Sequence, residues 1–209
     1  MIRIPLLLMG YLFGCLQTSF VYGKKQGLDI REHGSGNAGT TNALRVMGRK
    51  AGIIVFLGDL GKMLLALLFA GWLSSFWGEE YWLLSQLYTA AGVVLGHDFP
   101  YYMDFRGGKG VASTGGMMLL LDWRMALYSF ISFLGVTLLS KRVSLGSILM
   151  LLGNLVLFPW LLFSHKLSSG IMSKWEALLI FAAIVLLSLI RHHDNIKRLI
   201  KGEEKPISF

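Results

Sequence analysis

Charged side chains are scarce in this sequence: 15% of 209 residues, with only 12 Asp and Glu among them. A soluble domain carries about 25%. Together with 54% hydrophobic residues and a mean hydropathy of +0.58, the deficit points to a membrane protein. The shortage of acids leaves a net charge of +8, which in a soluble chain would raise nucleic acid as a partner. Here Lys and Arg fall in short clusters between apolar runs, the pattern of membrane loops, so no nucleic-acid partner is expected. Cysteine is reduced to Cys15, inside an apolar run, which excludes a disulfide framework and a cysteine metal site. A thiolate needs an electropositive, accessible setting, so Cys15 is read as a buried structural thiol. Other catalytic signatures are missing too. None of the five histidines is followed by four residues and an aspartate, there is no G-x-S-x-G elbow, and no histidine–carboxylate cluster has ligand spacing. Neither metal nor cofactor is expected, and no internal repeat, low-complexity tract or soluble domain stands out.

What is present is a series of apolar runs. A membrane span needs roughly 20 mainly apolar residues to cross a hydrocarbon core of about 30 Å. Candidates are residues 4–22, 51–72, 81–96, 144–163 and 175–190. Residues 111–139 are interrupted at "LDWR" and are read as two short helices turning at residues 122–124, the first of them short for a full crossing and open to a re-entrant reading. The first apolar run ends in Gly-Lys-Lys without a small-residue cleavage site and is read as a retained span rather than a signal peptide. The expectation is an all-α integral membrane protein of seven transmembrane helices in one domain over residues 1–209. With the amino terminus outside, one face receives Lys24, Lys25, Arg31, Arg45, Arg49, Lys50, Arg106, Lys109, Lys141, Arg142 and the basic residues of the last segment. The opposite face receives Arg3, Arg124, Lys166 and Lys174. The asymmetry assigns the first face, and the carboxyl terminus with it, to the cytoplasm.

Every polar, glycine-rich segment of note falls on that cytoplasmic face. "EHGSGNAGTTNALR" (residues 32–45) has almost nothing apolar to bury. Gly34, Gly36 and Gly39 let the backbone turn and bring its N–H groups near a ligand. Ser35, Asn37, Thr40, Thr41 and Asn42 add side-chain donors, and Arg45 adds a fork suited to phosphate or carboxylate. The plainer alternative is a flexible loop with a helix N-cap at Thr41 or Asn42. "FRGGKG" sets Arg106 and Lys109 around Gly107 and Gly108, again a phosphate-binding composition. It is not a Walker A loop, because Lys109 is followed by Gly110 in an all-helical context. The plainer alternative here is a basic membrane-surface loop. His97, at the end of the third span, and His192, at the end of the seventh, are candidates for handling a proton. His33, His165 and His193 are read as interfacial. Asn195 lies three residues after His192, on the same helical face, so the two can contact one ligand. Asp59 and Lys62, three apart in the second span, are expected to pair, since either alone is costly in lipid; structural and catalytic roles are both open.

In order along nearly the whole chain, "GSGNAGTTNALR", "GHDFPYYMDFRGGKGVAST", "VSLGSI" and "HHDNIKRLIKGEE" resemble the motifs of the bacterial acyl-phosphate:glycerol-3-phosphate acyltransferase family, PlsY. Two positions depart from the family pattern: Ala38 stands where Pro is frequent, and Met63 follows Lys62 where Gly is usual. The resemblance implies a seven-span enzyme of the bacterial inner membrane that moves a fatty acyl group from acyl phosphate to the 1-hydroxyl of glycerol 3-phosphate. The products are lysophosphatidic acid and inorganic phosphate, with acyl phosphate supplied by a separate soluble synthase. It places Ser35, Arg45, Lys109, His192 and Asn195 in the chemistry, and His97 joins them as the candidate its own position makes it. Gly36, Asn37, Gly39, Thr40, Thr41, Asn42, Arg106, Gly107, Gly108, Gly110 and Ser144 are expected to bind phosphate or substrate. Activated acyl phosphate needs no covalent enzyme intermediate, and either histidine or a substrate phosphate oxygen could take the hydroxyl proton. An organic-phosphate transporter is the rival class; it would need polar residues through the membrane, whereas here they gather at one face. A membrane-anchored anion-binding scaffold without catalysis is a third.

Overall fold

The computed structural model describes residues 2–164, 166–167 and 174–207. His165, read above as interfacial, lies outside them. The described residues are helical, with no strand, and form two compact units, Met1–Met117 and Met118–Phe209.

The first unit holds α1 (Arg3–Gly14), α2 (Thr18–Lys25), α3 (Thr40–Ser74), α4 (Trp82–Asp98) and the start of α5 (Val111–Leu121). Its helices meet through glycine. Gly10 and Gly14 on α1 would, with a Cβ, overlap the carbonyl oxygens of Thr89 and Val93; Gly92 and Gly96 on α4 would overlap those of Leu7 and Tyr11. Lipid tails are as apolar as leucine, so helices in a bilayer associate by such close backbone approach rather than by burying grease.

The first expected span is broken at residues 15–17, between α1 and α2. A break leaves carbonyls without partners, and in lipid each must be satisfied by protein. Lys62 Nζ donates to the oxygens of Gly14 (3.1 Å) and Leu16 (3.0 Å), and the Tyr102 hydroxyl donates to that of Cys15 (2.8 Å). Helix α3 is also two pieces, parted at Gly48, whose φ of 83° is open to glycine. The second piece contains the expected span 51–72. The N-cap of the first piece is Gly39, two or three residues before the expected Thr41 or Asn42, and Asn42 sits in the first turn with its amide turned back into the preceding loop.

The second unit holds the end of α5, then α6 (Trp123–Ser140), α7 (Val143–Phe163), α8 (Lys174–Arg191) and α9 (His193–Ile200). The turn expected at residues 122–124 is a helix cap: Asp122 accepts from the Arg124 N–H (2.8 Å) and from its guanidinium (2.9 and 2.7 Å). Helices α6 and α7 are pinned by a buried polar string in which Asn154 donates to Ser129 Oγ (2.8 Å) and Ser129 to Met118 Sδ (3.0 Å). Helices α7 and α8 meet through the stacked rings of Phe158 and Phe181, 4.0 Å apart.

Apolar side chains point outward along these helices: Leu12, Ile53, Leu65, Phe130, Ile131, Val156 and Leu179 are all more than half exposed. Four helical stretches among the described residues, Arg3–Lys25, Thr40–Ser74, Trp123–Ser140 and Val143–Phe163, are long and apolar enough to cross a membrane, and Lys174–Arg191 with His193–Ile200, bent by 55°, makes a fifth if taken as one span. The chain is thus an integral membrane protein. At 17 residues α4 falls just short of that length, and the 11 residues of α5 reach only about 16 Å, half a crossing.

Candidate active site

In the first unit the loop before α3 is built inward from its own polar groups. Asn42, 1% exposed, accepts from the Ser35 N–H (2.8 Å) and donates to the carbonyls of Ile30 (3.2 Å) and His33 (2.9 Å). Its amide therefore holds the loop's shape. Gly34 and Gly36 sit at φ of 64° and 71°, and a Cβ on Gly34 would overlap the Asn42 carbonyl oxygen. The N–H groups of Gly36 and Gly39 donate to the carbonyls of His33 (3.0 Å) and Asn37 (2.9 Å). The N–H groups of Ser35, Gly36 and Gly39 are thus used within the loop. What the loop presents outward is side chains: Ser35 and Arg45 are exposed, while Asn37, Thr40 and Thr41 are half-buried. The Thr40 hydroxyl oxygen is buried with no hydrogen-bond partner among the described residues.

The loop after α4 follows the same rule. Gly107 and Gly108 donate to the Asp98 (3.1 Å) and His97 (3.0 Å) carbonyls at the end of α4. A Cβ on Gly107 would overlap the His97 carbonyl oxygen, and one on Gly108 would overlap the His97 ring at Nε2. These glycines permit close approach to α4, which leaves exposed Arg106 and half-buried Lys109 as the loop's cationic groups. Gly110, at φ 68°, turns the chain into α5, where its carbonyl accepts from the Thr114 N–H and hydroxyl, both at 2.7 Å.

Arg31 ties the two loops together. Its guanidinium donates to both carboxylate oxygens of Asp29 (3.0 and 2.8 Å) and to the Met103 carbonyl (3.0 Å). Under the tie Ile30, Ala38 and Met103 form a fully buried plug, with Phe20, Leu28, Val46 and Met47 packed around it. The Arg31 hydrogen bonds hold the Asp29 carboxyl well below the usual carboxylate range. The sequence counts Arg31 only among the cations of one face and does not single out Asp29; the Asp-x-Arg spacing, repeated at Asp122 and Arg124, is a signal by which the pair could be found.

His97 is 3% exposed. Its Nδ1 lies 2.7 Å from Lys62 Nζ, and an ammonium has only protons to give, so this nitrogen carries the ring's lone pair. The opposite edge of the ring, at Nε2, lies against Gly108 in the loop that follows α4. Asp59 and Lys62 are paired as expected, at 3.1 Å, both almost fully buried.

In the second unit two of the expected residues, Ser144 and Asn195, meet at a carboxylate that the sequence did not single out. Glu204 Oε1 accepts from Ser144 Oγ (2.7 Å) and Asn195 Nδ2 (2.6 Å), and its Oε2 from Arg198 Nε (2.7 Å). Burial pushes the Glu204 carboxyl up, but the donors from Ser144, Arg198 and Asn195 outweigh it and leave it below the usual glutamate range. The chain holds this arrangement by folding back, with the Ile207 N–H donating to the Lys141 carbonyl (2.7 Å).

His192 does not sit on one continuous helix with Asn195. It is the bend between α8 and α9, where its N–H donates to Leu189 O (2.9 Å) and its Nδ1 takes over the Ser188 carbonyl (2.7 Å). A carbonyl only accepts, so Nδ1 carries the proton and the neutral ring's lone pair lies on Nε2. His33 Nδ1 faces the Asp29 carbonyl (2.9 Å), and His193 is exposed beside Asp194. Among the described residues no cluster of His, Cys, Asp and Glu could hold a metal ion.

With this geometry in place, the chain compares closely with known proteins. The family model described as glycerol-3-phosphate acyltransferase matches residues 4–202. The chain belongs to the glycerol-3-phosphate acyltransferase family, PlsY. A glycerol-3-phosphate acyltransferase of Exiguobacterium sibiricum is 39% identical over 208 residues, 99% of this chain and 94% of that one. The Clostridioides difficile enzyme of that name is 39% identical, with 95% of this chain and 92% of that one covered. The crystal structure of PlsY, an integral membrane glycerol 3-phosphate acyltransferase, in its glycerol 3-phosphate form, aligns with a TM-score of 0.84 at 32% identity, covering all of this chain and 96% of that one. The lysophosphatidic acid form of PlsY aligns at 0.81.

Proposed function

We propose that this chain transfers a fatty acyl group from acyl phosphate to the 1-hydroxyl of glycerol 3-phosphate, giving lysophosphatidic acid and inorganic phosphate. The observation that carries the reading is Arg31 joining two glycine-rich loops, one bearing Ser35 and Arg45 and the other Arg106 and Lys109. Both substrates are phosphorylated, so the reaction calls for neighbouring anion sites, and two tied basic loops supply them.

The hydroxyl oxygen attacks the acyl carbonyl carbon, the carbon–oxygen bond to phosphate breaks, and phosphate leaves with the electron pair. The anhydride is already activated, so the protein's tasks are orientation and stabilisation of charge on the carbonyl and phosphate oxygens. Ser35, Arg45, Arg106, Lys109, Thr40 and Thr41 are assigned to these oxygens. Gly36, Asn37, Gly39 and Asn42 shape the first loop, and Gly107, Gly108 and Gly110 the second. Ser144, His192 and Asn195 are assigned to substrate on the strength of the family motifs. His192 Nε2 or a phosphate oxygen takes the proton, and the ring hydrogen-bonded to Ser188 fits that role better than His97.

The proposal includes seven crossings in a single membrane domain over residues 1–209, the amino terminus outside, and both loops at the cytoplasmic face of the bacterial inner membrane. Acyl phosphate comes from a soluble synthase, and no cofactor takes part. The site assignment is tested with purified Lys109→Ala and Asn195→Ala proteins. Each is expected to lose at least about 100-fold in kcat/KM, roughly 2.7 kcal/mol of transition-state binding, while remaining folded and membrane-inserted. Near-normal turnover in both would remove it.

A further inference from the structure

Beneath the second loop lies a charged group that the proposed chemistry does not use. Lys62 is 4% exposed, and its ammonium meets four partners from three helical segments: the Gly14 oxygen (3.1 Å), the Leu16 oxygen (3.0 Å), Asp59 Oδ1 (3.1 Å) and His97 Nδ1 (2.7 Å). A lysine that served only to neutralise Asp59 would need neither the carbonyls of the broken first helix nor the histidine. The unwound end of a helix is a negative pole, where membrane proteins can seat a cation; here the cation is covalently attached.

We propose that Lys62 is a tethered cation that fixes the His97 ring as the floor of residues 107–109, and so sets affinity for a phosphorylated substrate rather than the rate of acyl transfer. The linkage is short. Lys62 holds His97 Nδ1, the opposite edge of that ring fills the space a Gly108 Cβ would take, and the next residue is Lys109. The backbone runs the same way, with Gly108 N–H donating to the His97 carbonyl (3.0 Å) and Gln17 Nε2 donating to that same oxygen (2.8 Å). Lys62 and His97 are positioning residues, and the inference rests on the acyltransferase reading.

The experiment compares wild type with Lys62→Ala and Lys62→Met, recording thermal midpoint, kcat and the KM for glycerol 3-phosphate and for acyl phosphate. Both variants are expected to raise one of these KM values about tenfold with kcat changed less than about threefold, the signature of lost binding common to ground and transition states. Propylammonium, which replaces the carbons and ammonium deleted in Lys62→Ala, is expected to restore affinity there. In Lys62→Met the methionine fills the same space, so no restoration is expected. A general structural defect would not respond to the amine.

Should Lys62→Ala fail to fold, Gly108→Ala and His97→Ala carry the test. Gly108→Ala is expected to raise KM in the wild-type background and to add little in His97→Ala, where the ring is gone. Folded Lys62 variants with both KM values unchanged, loss confined to kcat, or strictly additive Gly108 and His97 effects would overturn the inference. Wild-type protein that makes no lysophosphatidic acid would defeat the acyltransferase reading instead, and the Gly108–His97 coupling would then be read from thermal midpoints.

Discussion

At the scale of single residues, polar groups that looked alike in sequence divide by where their atoms point. Asn42 and Asn195 both lie in glycine-rich or basic motifs, yet Asn42 spends its amide on the backbone of its own loop and Asn195 turns to Glu204. Cys15 is 6% exposed within the first unit, and the Tyr102 hydroxyl donates to its carbonyl. Cys15→Ser is expected to retain at least half of wild-type turnover; a folded but inactive variant in the acyl-transfer assay would make the thiol a participant. Glu204 carries a pH dependence whose sign follows from its lowered pKa. A carboxyl more acidic in the folded than the unfolded state contributes stability above its unfolded pKa of about 4.3, and that contribution is lost as pH falls through the folded value. The thermal midpoint should therefore fall on acidification below about pH 4.5, and Glu204→Gln should shrink the fall. Asp29 and Asp122, also lowered by their arginines, keep the rest of the slope. At neutral pH Glu204→Ala is expected to cost about 2–4 kcal/mol, since it strips charge-assisted bonds from three buried or half-buried donors. Equal slopes in wild type and Glu204→Gln would contradict this role.

At the scale of elements, the close approach of α1 and α4 depends on Gly10, Gly14, Gly92 and Gly96. Gly92→Ala sets a Cβ against the Leu7 carbonyl and is expected to cost about 1–3 kcal/mol, read as a lowered thermal midpoint. Gly61→Ala, on an open face of α3, should change stability by no more than about 0.5 kcal/mol and leave that midpoint nearly unmoved. Equal effects would mean that the glycines are not packing residues. Much of this level was legible in the sequence: the runs 51–72, 81–96 and 144–163 appear as helices within two residues of the expected ends, and the turn at residues 122–124 is an aspartate cap. The spacing of Gly10 with Gly14 and of Gly92 with Gly96 was there to be read as well. The breaks at residues 15–17 and at His192 were not, because their causes lie far off in the chain or in a ring nitrogen. Lys62 satisfies carbonyls 46 and 48 residues earlier, and the His192 Nδ1 replaces a backbone donor. The inward donation by Gly107 and Gly108 was equally hidden, since composition gives donors but not their direction.

At the scale of the whole molecule, outward apolar faces, glycine contacts and side-chain-capped breaks are what a bilayer demands of a helical chain. The basic and glycine-rich segments lie in loops and at helix ends, while polar side chains inside the helices pair with one another, Lys62 with Asp59 and Asn154 with Ser129. An acyl chain belongs in lipid and a phosphate in water, so an enzyme that joins an acyl group to glycerol 3-phosphate gains from having both phases at hand. The proposed reaction stands or falls with its acyl donor. The most direct test supplies purified, detergent-solubilised protein with glycerol 3-phosphate and either acyl phosphate or acyl-CoA, and follows lysophosphatidic acid and phosphate together. Equal amounts of both products from acyl phosphate, and neither from acyl-CoA, are predicted. Lysophosphatidic acid from acyl-CoA, or a folded sample that makes none but carries organic phosphate into liposomes, would contradict it.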